Sequence, residues 1–154
     1  MSVANRIICL LAILASLTSA CSSDRAPQPA GPEHSQGDLS VEVRGAARIR
    51  LEQQGTDLAV TLTLDRVAAA DLVPTTELKA RGTIERFPEA ALRLYAATIP
   101  IGPTPACANK PTTLALALTR RLENARVSGS LAAYCEGTPT PLRILRLAGR
   151  LPLE

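Results

Sequence analysis

The sequence predicts an antiparallel β-barrel, or a strongly curved β-sandwich, of about seven to eight strands. Three observations support this fold class. Apolar residues recur at every second position over most of the chain from residue 39, turn residues separate these stretches, and glycines recur on their apolar phase. Alternation of apolar and polar side chains places one face of a strand on a core and the other in water.

The first twenty residues differ in composition from the rest of the chain. Arg6 supplies one positive charge, and an uncharged apolar run extends from Ile7 to Leu17. This run is shorter than the ~20 residues that a membrane-spanning helix needs, and it is typical of the apolar part of a signal peptide. Small residues follow, and the stretch ends in Leu17-Thr18-Ser19-Ala20-Cys21.

That stretch resembles a lipobox, the cleavage and lipidation motif of bacterial lipoproteins, with Thr18 in the place of the commoner Leu. The resemblance implies a signal peptide over residues 1–20, cleavage before Cys21 and acyl chains on its sulfur. Two or three such chains anchor a protein essentially permanently, because each buried methylene contributes about 0.8 kcal/mol. An ordinary secreted protein and a retained membrane anchor are the alternatives.

The resemblance also implies a location. Ser22 follows the cysteine where an Asp would favour retention in the inner membrane, so the pattern is similar to that of outer-membrane lipoproteins. We therefore expect a bacterial cell-membrane protein, lipid-anchored in the outer membrane with its domain facing the periplasm.

Residues 21–37 are expected to comprise the lipidated cysteine and a disordered tether. Residues 22–37 contain three prolines, two glycines and few apolar side chains, so this stretch cannot bury enough surface to offset the entropy of ordering. His34, the only histidine of the chain, lies in it, and we assign it no catalytic or ligating role. A single antiparallel β domain is then expected over residues 38–154.

The strands are predicted from alternation, and the first two form a hairpin. One strand is expected from Leu39 to Leu51 and the next from Asp57 to Asp65, with a turn at residues 53–56 between them. Further strands are predicted over residues 77–87, 112–119, 126–135 and 142–153. The last of these changes phase near Ile144 and Leu145, which indicates a β-bulge.

In two stretches the sequence pattern does not distinguish a helix from a strand. Residues 66–72 are compatible with a helical turn. Residues 88–97 favour a short helix that begins at Pro88, with Glu89 in its first turn, followed by a strand. A continuous strand through this second stretch is the alternative.

The pattern apolar-x-Gly-x-apolar occurs four times on the inward phase of predicted strands. Its glycines are Gly45, Gly82, Gly129 and Gly149. Glycine inside a strand marks a bend or a close approach of backbones, and inward glycines are how curved sheets turn their corners. The pattern therefore favours a barrel over a plain sandwich, which is the alternative.

The four cysteines divide into two pairs. Cys9 leaves with the signal peptide and Cys21 carries lipid, so Cys107 and Cys135 remain in an oxidising compartment, where a disulfide is the default. A hairpin of the strands over 112–119 and 126–135 would bring Cys135 beside the Pro-rich loop that carries Cys107. We expect this disulfide to stabilise the fold by roughly 3 kcal/mol.

Charge and motifs restrict the function. Residues 91–154 contain eight basic and three acidic side chains, which suits anionic lipid headgroups or an acidic partner, although a solvated outer face is the simpler interpretation. The chain has one Phe, two Tyr and no Trp, so nucleic-acid binding is not expected. No catalytic motif is present and the domain lacks histidine, so we expect no enzyme, no metal and no cofactor.

These observations favour a non-catalytic module that binds or scaffolds another envelope protein. One alternative is a carrier of an apolar ligand or lipid inside the barrel. The other is an inhibitor of a periplasmic or host hydrolase. Ser128-Gly129 followed by Tyr134 resembles a segment of periplasmic lysozyme inhibitors, which are also small disulfide-bonded lipoprotein barrels.

Overall fold

The computed structural model describes residues 31–41, 45–69 and 77–152. The predictions for residues 1–30, including the signal peptide and Cys21, lie outside these ranges. The strands are β1 Glu33–Val41, β2 Gly45–Gln54, β3 Asp57–Leu64, β4 Glu77–Phe87, β5 Leu92–Thr104, β6 Lys110–Arg121, β7 Arg126–Cys135 and β8 Arg143–Arg150. An α-helical turn, α1, spans Arg66–Ala69, and 3-10 turns span Pro88–Ala90 and Pro105–Cys107.

The eight strands form a closed antiparallel barrel in sequence order, which confirms the predicted fold class. Each strand pairs with the next, and β8 pairs with β1. We call the end at which β1 begins the proximal end; it carries the β2–β3, β4–β5 and β6–β7 turns. The other end, with the β5–β6 and β7–β8 connections, is the distal end.

The core lies inside the barrel and follows the alternation. Along β3, for example, Leu58, Val60, Leu62 and Leu64 are buried while the residues between them are exposed or half-buried. Leucine, isoleucine and valine supply most of the interior, which is continuous from β1 to β8. Burial of apolar side chains on one phase of every strand is the main force that holds this barrel together.

The expected strand from Leu39 to Leu51 is wrong, because the chain reverses direction within it. β1 ends at Val41 and β2 begins at Gly45, and these two residues are paired. Their separation of four positions keeps both on the inward phase, so the alternation continues across the reversal. The predicted hairpin that follows is confirmed as β2 and β3.

The expected boundary of the tether is also corrected at its C-terminal side. Residues 33–37, assigned to a disordered segment, form the first half of β1 and pair with β2 from Glu33↔Gln53 to Gly37↔Ile49. Disorder was predicted because most of their side chains are polar and bury little apolar surface. Two of them, Glu33 and Ser35, are satisfied by arginines on other strands.

The two ambiguous stretches resolve differently. Residues 66–69 are the helical turn α1, where Asp65 Oδ1 accepts a hydrogen bond from the amide of Ala68 at 2.6 Å, as an N-cap does. In the second stretch the favoured interpretation, a short helix and then a strand, is confirmed, with the helix reduced to one 3-10 turn over Pro88–Ala90. The 3-10 turn ends at Ala91, whose φ of 50° is left-handed, and β5 then begins at Leu92.

The bulge expected near Ile144 and Leu145 is wrong. β7 and β8 pair without interruption from Arg126↔Arg150 to Ala133↔Arg143. The phase change in the sequence arises because Ile144 is an apolar residue that faces outward, with 49 % of its surface exposed. The register shift that does occur lies between Pro100 and Gly102 on β5.

The inward glycines mark close approaches of neighbouring backbones. A Cβ atom on Gly129 would overlap the carbonyl oxygen of Ala117 on β6, and one on Gly82 would overlap that of Ala96 on β5. These contacts leave no space for a side chain. Glycine therefore permits the strong coiling that closes the sheet on itself.

Candidate functional site

The disulfide predicted from the sequence is confirmed. Cys107 and Cys135 are bonded, with their Cα atoms 5.4 Å apart. Cys135 ends β7, and Cys107 ends the 3-10 turn in the β5–β6 connection, so the bond fixes this connection to the distal end of the barrel. Cys21, the predicted site of lipid attachment, lies outside the described residues.

Hydrogen bonds hold the same connection from within. The hydroxyl oxygens of Thr104 and Thr112 lie 2.7 Å apart and are buried. The carbonyl oxygen of Thr104 accepts a hydrogen bond from the amide of Asn109 at 2.8 Å, and its hydroxyl accepts one from the amide of Cys107 at 3.3 Å. The connection is thus a rigid part of the distal end rather than a loose loop.

Beside this connection, apolar side chains face outward on β7 and β8. Ile144 and Leu142 are both 49 % exposed, and Ile144 pairs with Ala132 on β7. Tyr134 lies two residues further along β7 on the same phase, half-buried, and the amide of Leu142 donates to the carbonyl of Ala133 at 2.7 Å. We call Tyr134, Leu142 and Ile144, together with Ala132, which is only 8 % exposed beneath them, the distal patch.

The distal patch has the composition of a protein-binding surface. Tyrosine and branched aliphatic side chains combine large apolar area with few rotatable bonds, so little entropy is lost when a partner covers them. Exposed arginines at positions 143 and 146 flank Ile144. The arrangement suits a partner that presents apolar side chains with acidic residues beside them.

The interior carries an unexpected polar cluster near the proximal end. Arg120 on β6 is only 2 % exposed, and its Nη1 donates to Ser35 Oγ at 3.2 Å and to Tyr95 Oη at 3.3 Å. Its Nε is buried and makes no hydrogen bond to any residue that the structure describes. Ser35 and Tyr95 are neutral acceptors, so burial of the Arg120 cation costs free energy that these two hydrogen bonds offset only in part.

A second arginine connects this cluster to the start of β1. Arg93 Nη1 donates to Glu33 Oε2 at 2.6 Å and to Gln53 Oε1 at 3.1 Å. Burial lowers the pKa of Arg93, but hydrogen bonds and charge attraction from Glu33 and Tyr95 outweigh this, so the pKa of Arg93 is raised above its ordinary value. The cluster therefore ties β1 to β5 and β6 across the width of the barrel.

The sequence carries one signal for this cluster. Arg120 continues the inward phase of Leu114, Leu116 and Leu118, so alternation alone places it inside. An arginine at such a position is ordinarily read as the point at which a strand leaves the core, because burying its charge is expensive. Its acceptors come from β1 and β5, which local sequence does not reveal.

Two grooves formed by described residues lie on the outside of the barrel. The smaller, about 240 Å³, runs over β2, β3 and β4 near Ala59 and Arg81. The larger, about 880 Å³, crosses β6, β7 and β8 at the proximal end and is lined by three arginines.

The single histidine lies on the barrel, and the described residues form no metal site. His34 is not in a tether but on β1, facing outward with its Nδ1 4.0 Å from Glu52 Oε1. Within residues 31–41, 45–69 and 77–152, no cluster of three or more His, Cys, Asp or Glu side chains is placed to hold a metal ion. No helix in that part of the chain is long and apolar enough to cross a bilayer.

Comparison of the chain with protein-family models, with curated proteins and with solved structures found no match.

Proposed function

We propose that this protein is a lipid-anchored lipoprotein of the bacterial envelope whose barrel is a non-catalytic module for binding another envelope protein. The distal patch is the observation that carries this proposal. It sets a half-buried tyrosine and two exposed aliphatic side chains on a frame held by the barrel, the Cys107–Cys135 bond and the buried threonine pair. Rigid, outward apolar groups of this kind favour binding over solvent exposure.

The filled interior favours this function over the carrier alternative. A small eight-stranded barrel either packs its interior with side chains or leaves space for one ligand. Here Ile49, Leu51, Leu62, Leu118 and Tyr95 are all 0 % exposed, and the buried Arg120 cluster lies at the proximal end of the same interior. An apolar ligand would have to displace this core.

The lipid anchor is tested at Cys21. We expect radiolabelled palmitate to appear on the mature protein, with an N-terminus at residue 21, and the variant Cys21→Ser to shift the protein from the membrane fraction to the soluble fraction. The variant loses membrane binding because the acyl chains, whose buried methylenes supply the binding energy, are no longer attached. A Cys21→Ser variant that stays membrane-bound and keeps residues 1–20 would contradict the anchor.

The binding surface is tested by site-specific photo-crosslinking in cells. A photoreactive phenylalanine analogue in place of Ile144 is expected to give one discrete adduct with a protein, because a partner covers this position. The same analogue at Thr63, exposed on β3 across the barrel, is the matched control and should give none.

The energetic contribution of the patch is then measured with the partner so captured. Ile144→Asp is expected to weaken binding by roughly 30-fold, the effect typical of a buried contact residue at a protein interface. Equal adduct yields from positions 144 and 63, or unchanged binding by Ile144→Asp, would contradict the proposal.

A further inference from the structure

A single row of outward residues runs around the proximal end from β4 to β8. Phe87 pairs with Leu92, Leu92 pairs with Arg121, and Arg126 pairs with Arg150. Arg121 and Arg126 flank the short β6–β7 turn that joins their strands. Two apolar side chains are thus followed by three arginines along one rim of the barrel, which we call the proximal rim.

The charges of the arginines on the proximal rim lower the stability of the barrel. Like charges that face each other on neighbouring strands repel, as Arg126 and Arg150 do. None of the three forms an ion pair with another described residue, and all are exposed. They line the groove of about 880 Å³, whose floor is made of small residues such as Ser128 and Ala148. This groove is therefore suited to several anionic groups.

Large apolar side chains are exposed on the proximal rim and on the β6–β7 turn beside it. Phe87 is 45 % exposed, and Leu122, at the tip of the β6–β7 turn, is 40 % exposed. The amide of Leu122 donates to the carbonyl of Ala91 at 2.9 Å, so the β4–β5 and β6–β7 turns are joined. Two large apolar side chains consequently project from adjacent, connected turns.

We infer that the proximal rim docks on the surface of an anionic phospholipid bilayer. Phe87 and Leu122 enter the boundary between headgroups and acyl chains, and Arg121, Arg126 and Arg150 contact lipid phosphates. Exposed apolar groups beside cationic ones are the combination that binds such interfaces. Glu89 and Glu123, exposed on the same two turns, oppose this attraction and keep it moderate.

The entry point of the chain agrees with this orientation. The described chain begins at Gly31, immediately before β1 and thus at the proximal end. Nine residues lie between Cys21 and Gly31, and the ten steps from one to the other span at most ~35 Å. The inference rests on the proposed lipid anchor, which would bring the barrel to a membrane. A short tether then raises the local concentration of lipid at the proximal rim. The docking itself needs no acyl chain.

The experiment therefore uses the chain from residue 21 with Cys21→Ser, which carries no lipid. Its sedimentation is measured with vesicles of phosphatidylglycerol and phosphatidylcholine, and with phosphatidylcholine alone. We expect binding to the anionic vesicles only, and its loss in 0.5 M salt, where charge interactions are screened. Each arginine near an anionic surface strengthens binding by a factor of about 5, so replacing Arg121, Arg126 and Arg150 with Gln is expected to weaken it roughly 100-fold.

A second triple variant controls for net charge. Lys110, Arg143 and Arg146 are exposed at or towards the distal end, and their replacement with Gln removes the same three charges. We expect this variant to bind within about 2-fold of the parent. Glu123→Gln, which removes an opposing charge from the rim, is expected to strengthen binding by about 2-fold to 5-fold.

Because the chain contains no tryptophan, a single one reports insertion directly. Phe87→Trp is expected to shift its emission to shorter wavelength on anionic vesicles, while Leu142→Trp in the distal patch is expected to show no shift. Absence of binding to anionic vesicles, or an equal loss in the two triple variants, would overturn the inference. Either result would leave the palmitate and crosslinking tests of the proposed function unaffected.

Discussion

Replacing Gly129 with alanine is expected to lower the free energy of unfolding by roughly 3 kcal/mol. The added Cβ would overlap the carbonyl oxygen of Ala117 and lie 2.9 Å from the Cα of Leu118, so β6 and β7 must move apart. Both contacts are with backbone, which cannot change rotamer to make space. Urea denaturation followed by circular dichroism measures the loss, and the melting temperature should fall by about 10 °C.

Gly137→Ala is the control for this prediction. Gly137 follows β7 in a turn with φ of 77°, and a Cβ there would meet no atom within 4 Å. Its replacement is expected to cost only about 1 kcal/mol, from the left-handed backbone. If Gly129→Ala were as mild as Gly137→Ala, the two strands would not approach as closely as the structure shows.

Removing the disulfide is expected to have a comparable effect. In a chain from residue 21 with Cys21→Ser, the further changes Cys107→Ser and Cys135→Ser should lower the free energy of unfolding by about 3.5 kcal/mol. The reason is that the bond closes a loop across a sequence separation of 28 and so restricts the unfolded chain. Urea unfolding of the two proteins, without reductant, gives the difference.

Reduction provides an independent check of the same bond. The parent protein should resist alkylation until a reductant is added, and with reductant its unfolding midpoint should approach that of the double variant. Unequal midpoints under reducing conditions would show that the serines themselves disturb the distal end. Equal midpoints of the parent and the double variant without reductant would show that the loop is already ordered by the threonine contacts alone.

Much of the barrel was predictable because its physics is local to each strand. Alternation along β3, for instance, depends only on which face of one strand is buried. The disulfide was predictable because exclusion of Cys9 and Cys21 left one pair, and because β6 and β7 are adjacent. Glycine at positions 82 and 129 indicated a curved sheet, since an open flat sheet has no need of such residues.

Other features depended on contacts between distant strands, and these were missed. The reversal between Val41 and Gly45 preserves the phase of the alternation, so the pattern contains no sign of it. The apolar Ile144 on the outward phase suggests a bulge in the sequence, but it has a second explanation, which is a binding surface. Ile144 belongs to the distal patch, so the second explanation leads to the candidate site.

The pairing of β1 with β8 has a consequence for how the molecule is made. Seven of the eight strand pairings join consecutive segments, whereas Leu39↔Gly149 and its two neighbouring pairs bring together opposite ends of the domain. Closing so large a loop carries the highest entropy cost of the eight pairings, so we expect this pairing to form last. A chain in which it has not yet formed exposes two open sheet edges, at which other chains can pair and aggregate.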